Sequence, residues 1–424
     1  MKAINQTNRD FASLSPSVQR ASTVVFGSLE DFVNRKHRQP DGFSYGVTGT
    51  PTARLLEDRI AELEGGRHCV ITPSGAAALM TVVMGFVRGG DHLLISAACY
   101  GALKTFGEKW LAHMGVDVEL YDPSIGASIE ALIRPATRLI CIEAPGTVTM
   151  EMADVPAIAA AARRHGVLTM MDNTWASPLG FKPLAHGVDF SVEAATKFFS
   201  GHSDVLMGAI SMNDAGHYAV LRETQSILGQ QVSPDDCFLV LRGLETLGLR
   251  VRAQSDATLQ VADWLAAQPQ VERLLYPPLP GDPGHALWRR DFSTNGCLFS
   301  MVLAPAPESA FNGFFDSLRH FVIGASWAAC TAWPPITRRG CRRGGPFRRR
   351  TGPSCACPSG WRTWTCSRMT CAPAWRRIRR SAECLVAVRS FRGIAARIAC
   401  TGLNARRRHA LPAADSKRQK ALYI

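Results

Sequence analysis

The sequence predicts an α/β protein with a large domain built on a mostly parallel, doubly wound sheet, followed by a smaller α/β domain. Short apolar runs alternate with amphipathic segments over residues 51–245, which is typical of strand–helix–strand units. One such run, residues 167–171, ends in Asp172, and another, residues 188–195, ends in Thr196 and Lys197. Ligands of open α/β sheets bind at the carboxyl ends of strands, so these two ends mark a candidate site.

The individual elements follow from local patterns. Residues 1–50 predict an N-terminal arm, because their apolar side chains occur only in patches. Residues 51–64 have apolar side chains at helical spacing and precede Gly65-Gly66, which indicates a helix with a glycine stop. Residues 246–327 predict the beginning of the smaller domain. Apolar runs predict strands within residues 68–72, 91–102, 138–147, 167–172, 188–195 and 205–212.

Two further features fit a phosphate-bearing, flat ligand. Ser74, Gly75 and Ala76 open an apolar helix, and small residues there leave backbone N–H groups free for an anion. A simple helix cap would show the same pattern. Tyr100 follows the next strand, where an aromatic ring either stacks on a ligand or packs against the protein.

Asp172 and Lys197 together suit pyridoxal 5'-phosphate (PLP). This cofactor needs a carboxylate for its pyridinium nitrogen and a lysine that forms a Schiff base. Taken singly, Asp172 is more simply interpreted as a helix cap and Lys197 as a surface charge, since both residue types are mostly exposed. The PLP interpretation therefore depends on the combination of motifs.

Composition narrows the class of protein. A chain of 424 residues predicts about two or three domains. No apolar run reaches the ~18 residues of a membrane-spanning helix, and the N-terminus lacks the apolar core of a secretory signal. We therefore expect a cytoplasmic enzyme. The five cysteines before residue 327 show neither metal-ligand spacing nor a disulfide pattern, so we expect no metal site and a reducing compartment.

Residues 1–327 resemble the PLP-dependent enzymes of cysteine and methionine metabolism. The matching stretches follow the family's order and spacing and include YGVTGTPT, PSGAAA, GDHLLISAACY, IEAPGTVTMEM, MDNTWA, AATKFFSGHSD and RGLETLGLR. The resemblance implies the aspartate-aminotransferase-like fold (fold type I) with a mostly parallel seven-stranded sheet. It also implies PLP as cofactor and a homotetramer made of two dimers.

The resemblance assigns roles to individual residues. Lys197 would carry the cofactor and move protons, Asp172 would pair with the pyridine nitrogen, and Tyr100 would stack on the ring. Tyr45 would act in the site of a neighbouring subunit, where it would also reach the phosphate. The remaining phosphate ligands would be Gly75, Ala76 and Thr196. One departure concerns Val47, where relatives usually place a phosphate-binding arginine, so either weaker cofactor binding or compensation by another group is expected.

Ser326 and Trp327 resemble the substrate-binding pair of the β-lyase branch of this family. That branch cleaves L-cystathionine to homocysteine, pyruvate and ammonia in methionine biosynthesis. γ-Lyases and γ-synthases, including enzymes like methionine γ-lyase, tend to carry Leu after the Ser and remain the enzymatic alternative. The implied partner is a small thioether amino acid, with neither a membrane nor nucleic acid.

The sequence changes character after Trp327. Residues 328–424 contain 20 Arg, 2 Lys and eight of the 13 Cys against only Glu383 and Asp415, a net +20 within a total of +13. The family's Gly-Gly-x-x-Ser-Leu stretch is missing. So is its Leu-Arg-Leu-x-x-Gly-Leu-Glu-Asp stretch, whose Arg would bind the substrate carboxylate. Both are recovered if residues 328–333 and 352–364 are assigned GC-rich codons and these are read one base over, so we predict that the tail is out of frame.

Two other interpretations of the tail remain. It could be a basic nucleic-acid-binding extension with residues 348–350 and 406–408 as phosphate contacts, or a solvated segment with no fixed structure. In either case the chain could be an inactive PLP-binding protein. A shifted frame predicts a truncated or disrupted small domain, weak or absent activity and poor solubility. PLP binding should persist, because the implied cofactor contacts all precede residue 327.

Overall fold

A seven-stranded sheet forms the centre of the computed structural model of this protein, which describes residues 13–318, 321, 326–328 and 421–423. Its strands run in space in the order β1-β7-β6-β5-β4-β2-β3. The neighbours from β3 to β6 are parallel, whereas β7 is antiparallel to both β6 and β1. The predicted mostly parallel sheet is therefore confirmed. The strands are β1 (His68–Thr72), β2 (His92–Ser96), β3 (Asp117–Tyr121), β4 (Thr137–Glu143), β5 (Leu168–Asp172), β6 (Phe190–Glu193) and β7 (Gly208–Met212).

Helices cover both faces of this sheet. The helix bounds are α1 (Leu29–Val33), α2 (Pro51–Glu64), α3 (Gly75–Phe86), α4 (Gly101–Phe106), α5 (Val155–Arg164), α6 (Ser177–Gly180), α7 (Ala215–Ile227), α8 (Pro234–Leu244), α9 (Leu247–Ala266), α10 (His285–Asp291) and α11 (Glu308–Asp316). Helices α3 and α7 pack on one face, while α2, α5 and α8 pack on the other. Because both faces are covered, the central strands are apolar on both sides, which explains their continuous hydrophobic runs.

The helices before and after β1 begin where their sequences indicate, and the first of them also ends there. In α2, Thr50 accepts a hydrogen bond from the Ala53 N–H at 3.4 Å, and Gly65 ends the helix in the left-handed region at φ 71°. In α3, the Ser74 hydroxyl accepts from the Ala77 N–H at 3.1 Å. This cap leaves the N–H groups of Gly75 and Ala76, in the same first turn, available to bind a ligand.

The smaller domain contains an antiparallel sheet. Strand β8 (Val271–Leu275) pairs with β9 (Ser300–Leu303), which also pairs with β10 (Ala421–Tyr423). Apart from Ala328 and these last strand residues, the segment predicted to be out of frame lies outside the described residues. None of the described helices is both long and apolar enough to cross a membrane.

Candidate active site

Three adjacent parallel strands deliver polar side chains to one edge of the sheet. Strand β5 ends at Asp172, which lies opposite Glu143 at the end of β4. Strand β6, on the other side of β5, ends at Glu193, and Lys197 follows after a short turn. The predicted strand over residues 188–195 therefore ends two residues early, and a turn over residues 195–200 carries the lysine.

Asp172 is held by its own loop. Its Oδ1 accepts a hydrogen bond from the Thr174 hydroxyl at 2.6 Å and another from the Thr174 N–H at 3.1 Å. Burial raises the pKa of Asp172, while these two donors and the Lys197 amine oppose the rise. A nearby cation would therefore stabilise the charged form of Asp172, since a buried negative charge needs a partner.

Lys197 contacts a segment that is distant in sequence, residues 326–328. Its Nζ donates a hydrogen bond to the Ser326 Oγ at 2.6 Å, across 129 positions of sequence. The same Nζ lies 5.2 Å from the centroid of the Trp327 ring. Burial lowers the pKa of Lys197, and Asp172 partly counteracts this. Lys197 and Asp172 interact electrostatically but form no direct ion pair with each other.

The beginning of α3 lies against the segment that carries the lysine. A Cβ placed on Gly75 would lie 2.7 Å from the Cβ of Ala194, so this close approach requires glycine. Within residues 13–318, no hydrogen bond uses the N–H of Gly75 or of Ala76. These two donors can therefore bind an anion close to Lys197.

Thr196 uses its hydroxyl to fix the same turn. Its Oγ1 donates to the Met207 carbonyl oxygen at 3.1 Å and accepts from the Met207 N–H at 3.0 Å. This side chain therefore joins the lysine segment to the chain that enters β7. To bind a phosphate as predicted, the Thr196 hydroxyl would need hydrogen-bonding capacity beyond these two bonds.

The two predicted tyrosines differ in their setting. Tyr100 immediately precedes α4, its side chain is 47 % exposed, and its backbone N–H donates to Glu143 Oε2 at 2.6 Å. Tyr45 is 54 % exposed and lies in the N-terminal segment next to a short helical turn, Gly46–Thr48, which contains Val47. The structure places no contact between Tyr45 and either Lys197 or Asp172, and the role of Tyr45 in a neighbouring subunit stays a prediction.

Sequence reasoning overlooked two side chains at this edge. Glu143 ends the apolar run of β4 as Asp172 ends that of β5, so the same strand-end rule would have found it. Thr174 lies two positions after Asp172, within hydrogen-bond reach of a strand-end carboxylate. Both residues could therefore have been identified from their positions in the sequence.

The donors at this edge fit PLP. The pyridinium nitrogen matches a partly buried carboxylate that has no direct cation contact. The aldehyde matches an amine of lowered pKa, and the phosphate matches two free helix N–H groups. The exposed Tyr100 ring offers an aromatic face beside them. These groups come from four separate parts of the chain.

Another buried carboxyl, Glu64, contacts strand β6. Glu64, the last residue of α2, is 1 % exposed, and its Oε2 accepts from the Ser191 hydroxyl at 3.0 Å. Its Oε1 has no hydrogen-bond partner among the described residues. Burial raises the pKa of Glu64 to about 8, although Ser191 and Lys182 oppose the rise. At neutral pH this carboxyl is therefore protonated in the folded protein.

Replacement of Glu64 by glutamine is expected to flatten the pH dependence of stability. Between pH 4.5 and about 8 the folded state binds the Glu64 proton and the unfolded state releases it, so the free energy of unfolding falls as pH rises. Urea unfolding at pH 5.5 and pH 8.5 measures this fall in the free energy of unfolding. The fall should be smaller in Glu64→Gln than in the parent protein by on the order of 2–4 kcal/mol. The exposed Glu62→Gln is the matched control from the same helix. An unchanged fall in the Glu64 variant would contradict this assignment.

Comparison with known proteins adds a further observation. The family described as "Cys/Met metabolism PLP-dependent enzyme" matches residues 1–333. A putative cystathionine beta-lyase of Rhizobium johnstonii is 45 % identical over 318 residues, covering 74 % of this chain and 79 % of the relative. The cystathionine beta-lyase of Escherichia coli is 40 % identical over 314 residues, covering 73 % and 79 %. A solved cystathionine gamma synthase of Xanthomonas oryzae has a TM-score of 0.70 at 31 % identity, covering 76 % and 81 %.

Proposed function

This chain belongs to the Cys/Met metabolism PLP-dependent enzyme family, and on that premise we propose that it acts as a carbon–sulfur β-lyase on L-cystathionine. The products are homocysteine, pyruvate and ammonia. The contact between Lys197 Nζ and Ser326 Oγ, with Trp327 beside it, supports the proposal most strongly, because Ser326 and Trp327 resemble the β-lyase pair and Lys197 is the proposed Schiff-base lysine. The names of the two relatives given above support the same choice.

The residues of the site fit the steps of this reaction. Bound PLP supplies an electron sink that stabilises negative charge at the α-carbon of an amino acid. Lys197 binds the cofactor, and its free amine then takes the proton from the substrate α-carbon. Burial lowers the pKa of Lys197, which favours the neutral amine that a general base requires. The thiolate of homocysteine leaves from the β-carbon.

The neighbouring side chains hold these groups in place. Asp172, fixed by Thr174, keeps a proton on the pyridine nitrogen by pairing with the positive charge that the proton creates. Ser326 accepts a hydrogen bond from the lysine amine and so restricts where Nζ can point. The Trp327 ring lies 5.2 Å from the same amine and adds a cation–π contact to it.

The phosphate contacts and the assembly belong to the same proposal. The free N–H groups of Gly75 and Ala76 support an anion site at the beginning of α3, with Thr196 next to it. Tyr45 would complete this site from a neighbouring subunit of a homotetramer. The 54 % exposure of its side chain is compatible with a contact between subunits.

Identification of the 2-oxo acid formed from L-cystathionine tests the proposed activity. We expect pyruvate, because β-elimination leaves the three-carbon part of the substrate. The γ-type alternative is in keeping with the likeness to a solved gamma synthase, and a γ-lyase would cleave the bond between sulfur and the γ-carbon and give 2-oxobutyrate with cysteine and ammonia instead. Mass spectrometry of the derivatised oxo acids separates the two, and incubation without protein is the control. Formation of 2-oxobutyrate as the main product would reject the β-lyase assignment.

A further inference from the structure

Glu143 is a buried carboxyl that the proposed reaction does not use. Its side chain is 8 % exposed. Its Oε2 accepts a hydrogen bond from the backbone N–H of Tyr100 at 2.6 Å, and its Oε1 accepts one from the hydroxyl of Thr147. Both carboxyl oxygens therefore hold groups that belong to the loops after β2 and β4.

These two loops also touch each other directly. The Thr147 N–H donates to the Ala98 carbonyl oxygen at 2.8 Å. A Cβ placed on Gly146 would lie 2.3 Å from the Cβ of Ala98, so the loops approach as closely as glycine permits. The Glu143 carboxyl and the bond between Thr147 and Ala98 thus link residues 97–100 to residues 144–150 through hydrogen bonds.

The Glu143 carboxyl is one of the groups that hold the Tyr100 backbone, from which the ring projects. Tyr100 as a residue is 47 % exposed, and its described hydrogen bonds use the backbone: its N–H donates to Glu143, and its carbonyl oxygen accepts from the N–H groups of Leu103 and Lys104. An anchored N–H fixes the Cα and hence the directions in which the ring can point. The rotation of an unanchored loop by a few tens of degrees would move the ring off any ligand at the sheet edge.

A buried acidic side chain at this position reduces the free energy of unfolding unless its hydrogen bonds offset the cost of burial. Burial, with Asp172 opposite on β5, raises the pKa of Glu143 well above its usual range. A buried polar group is kept at little net cost only when its hydrogen bonds are made, and here both oxygens are occupied. An apolar side chain would pack without this penalty but could not hold the Tyr100 N–H.

We propose that Glu143 is a positioning residue that orients the Tyr100 ring over the bound cofactor by joining the loops after β2 and β4. This inference rests on the proposed cofactor contact of Tyr100 and goes beyond it by naming the group that sets the contact. Glu143 acts through Tyr100 and touches neither substrate nor cofactor.

A double-mutant cycle on the full-length protein tests this role. Glu143→Leu removes both acceptors, Glu143→Gln keeps the shape and can still accept from the Tyr100 N–H, and Tyr100→Ala removes the ring. The readouts are the PLP dissociation constant and the circular dichroism of bound PLP, neither of which needs substrate. Each variant is also checked by size-exclusion chromatography and thermal unfolding. An error in the assigned substrate would therefore leave these measurements unaffected.

The expected pattern is specific. Glu143→Leu should weaken PLP binding by about threefold to tenfold, the scale of one aromatic contact, and reduce the dichroism of the cofactor. Glu143→Gln should remain within about twofold of the parent, since it restores the acceptor. In the Tyr100→Ala background, Glu143→Leu should change neither readout further. Equal effects of Glu143→Leu with and without the Tyr100 ring would overturn the proposal, as would a lower unfolding temperature with unchanged dichroism.

Discussion

Replacement of Lys197 by alanine is expected to abolish covalent attachment of PLP and to reduce pyruvate formation by at least about 10³-fold. Lys197 supplies the amine at the sheet edge, where it donates to Ser326 and interacts with Asp172. The same side chain is proposed to take the α-proton, so a single change removes two functions. The expected loss is therefore larger than for any neighbouring residue.

Borohydride reduction followed by peptide mass spectrometry measures the attachment directly. In the parent protein, the peptide containing Lys197 should carry the added mass of reduced PLP. In Lys197→Ala that mass should be missing. Lys109→Ala, a change at an exposed lysine elsewhere in the large domain, should leave attachment and turnover unaltered. Labelling of another lysine in the parent protein would show that the cofactor residue has been misassigned.

Insertion of the base that restores the alternative frame after codon 327 is expected to raise the catalytic efficiency by at least about 100-fold. The restored sequence regains the Leu-Arg-Leu stretch, whose arginine would bind the substrate carboxylate with two parallel hydrogen bonds. The match to the family ends at residue 333, close to the point where the composition changes. The E. coli relative is covered over 79 % of its length, so its remaining part has no counterpart in the alignment.

The comparison of kcat/KM between the two proteins should be made at equal PLP content. PLP content itself is expected to be similar, because Lys197, Asp172, Gly75 and Ala76 all precede the altered segment. Replacement of the regained arginine by leucine is the matched control and should return the efficiency toward that of the present chain. Equal efficiencies of the present and restored proteins would contradict the frame argument. Sequencing of the gene across codons 325–335 provides an independent test.

Much of the fold could be predicted from local patterns. The helix of α2 was fixed by its apolar spacing and by Gly65, and the strand ending at Asp172 by its short apolar run. Strand β3 and strand β8 were missed. Both contain charged residues, and each has only one buried residue, so neither shows a clear apolar run.

The sequence by itself determined the α/β class, the family resemblance and the candidate pair Asp172 and Lys197. These properties depend on residue order over short distances, where periodicity and turn residues act directly. Only the tertiary structure decided that Glu143 lies opposite Asp172 and that Ser326 reaches Lys197. Such contacts depend on which strand ends become neighbours and on how a distant segment folds back, because packing over the whole sheet, and not local sequence, selects them.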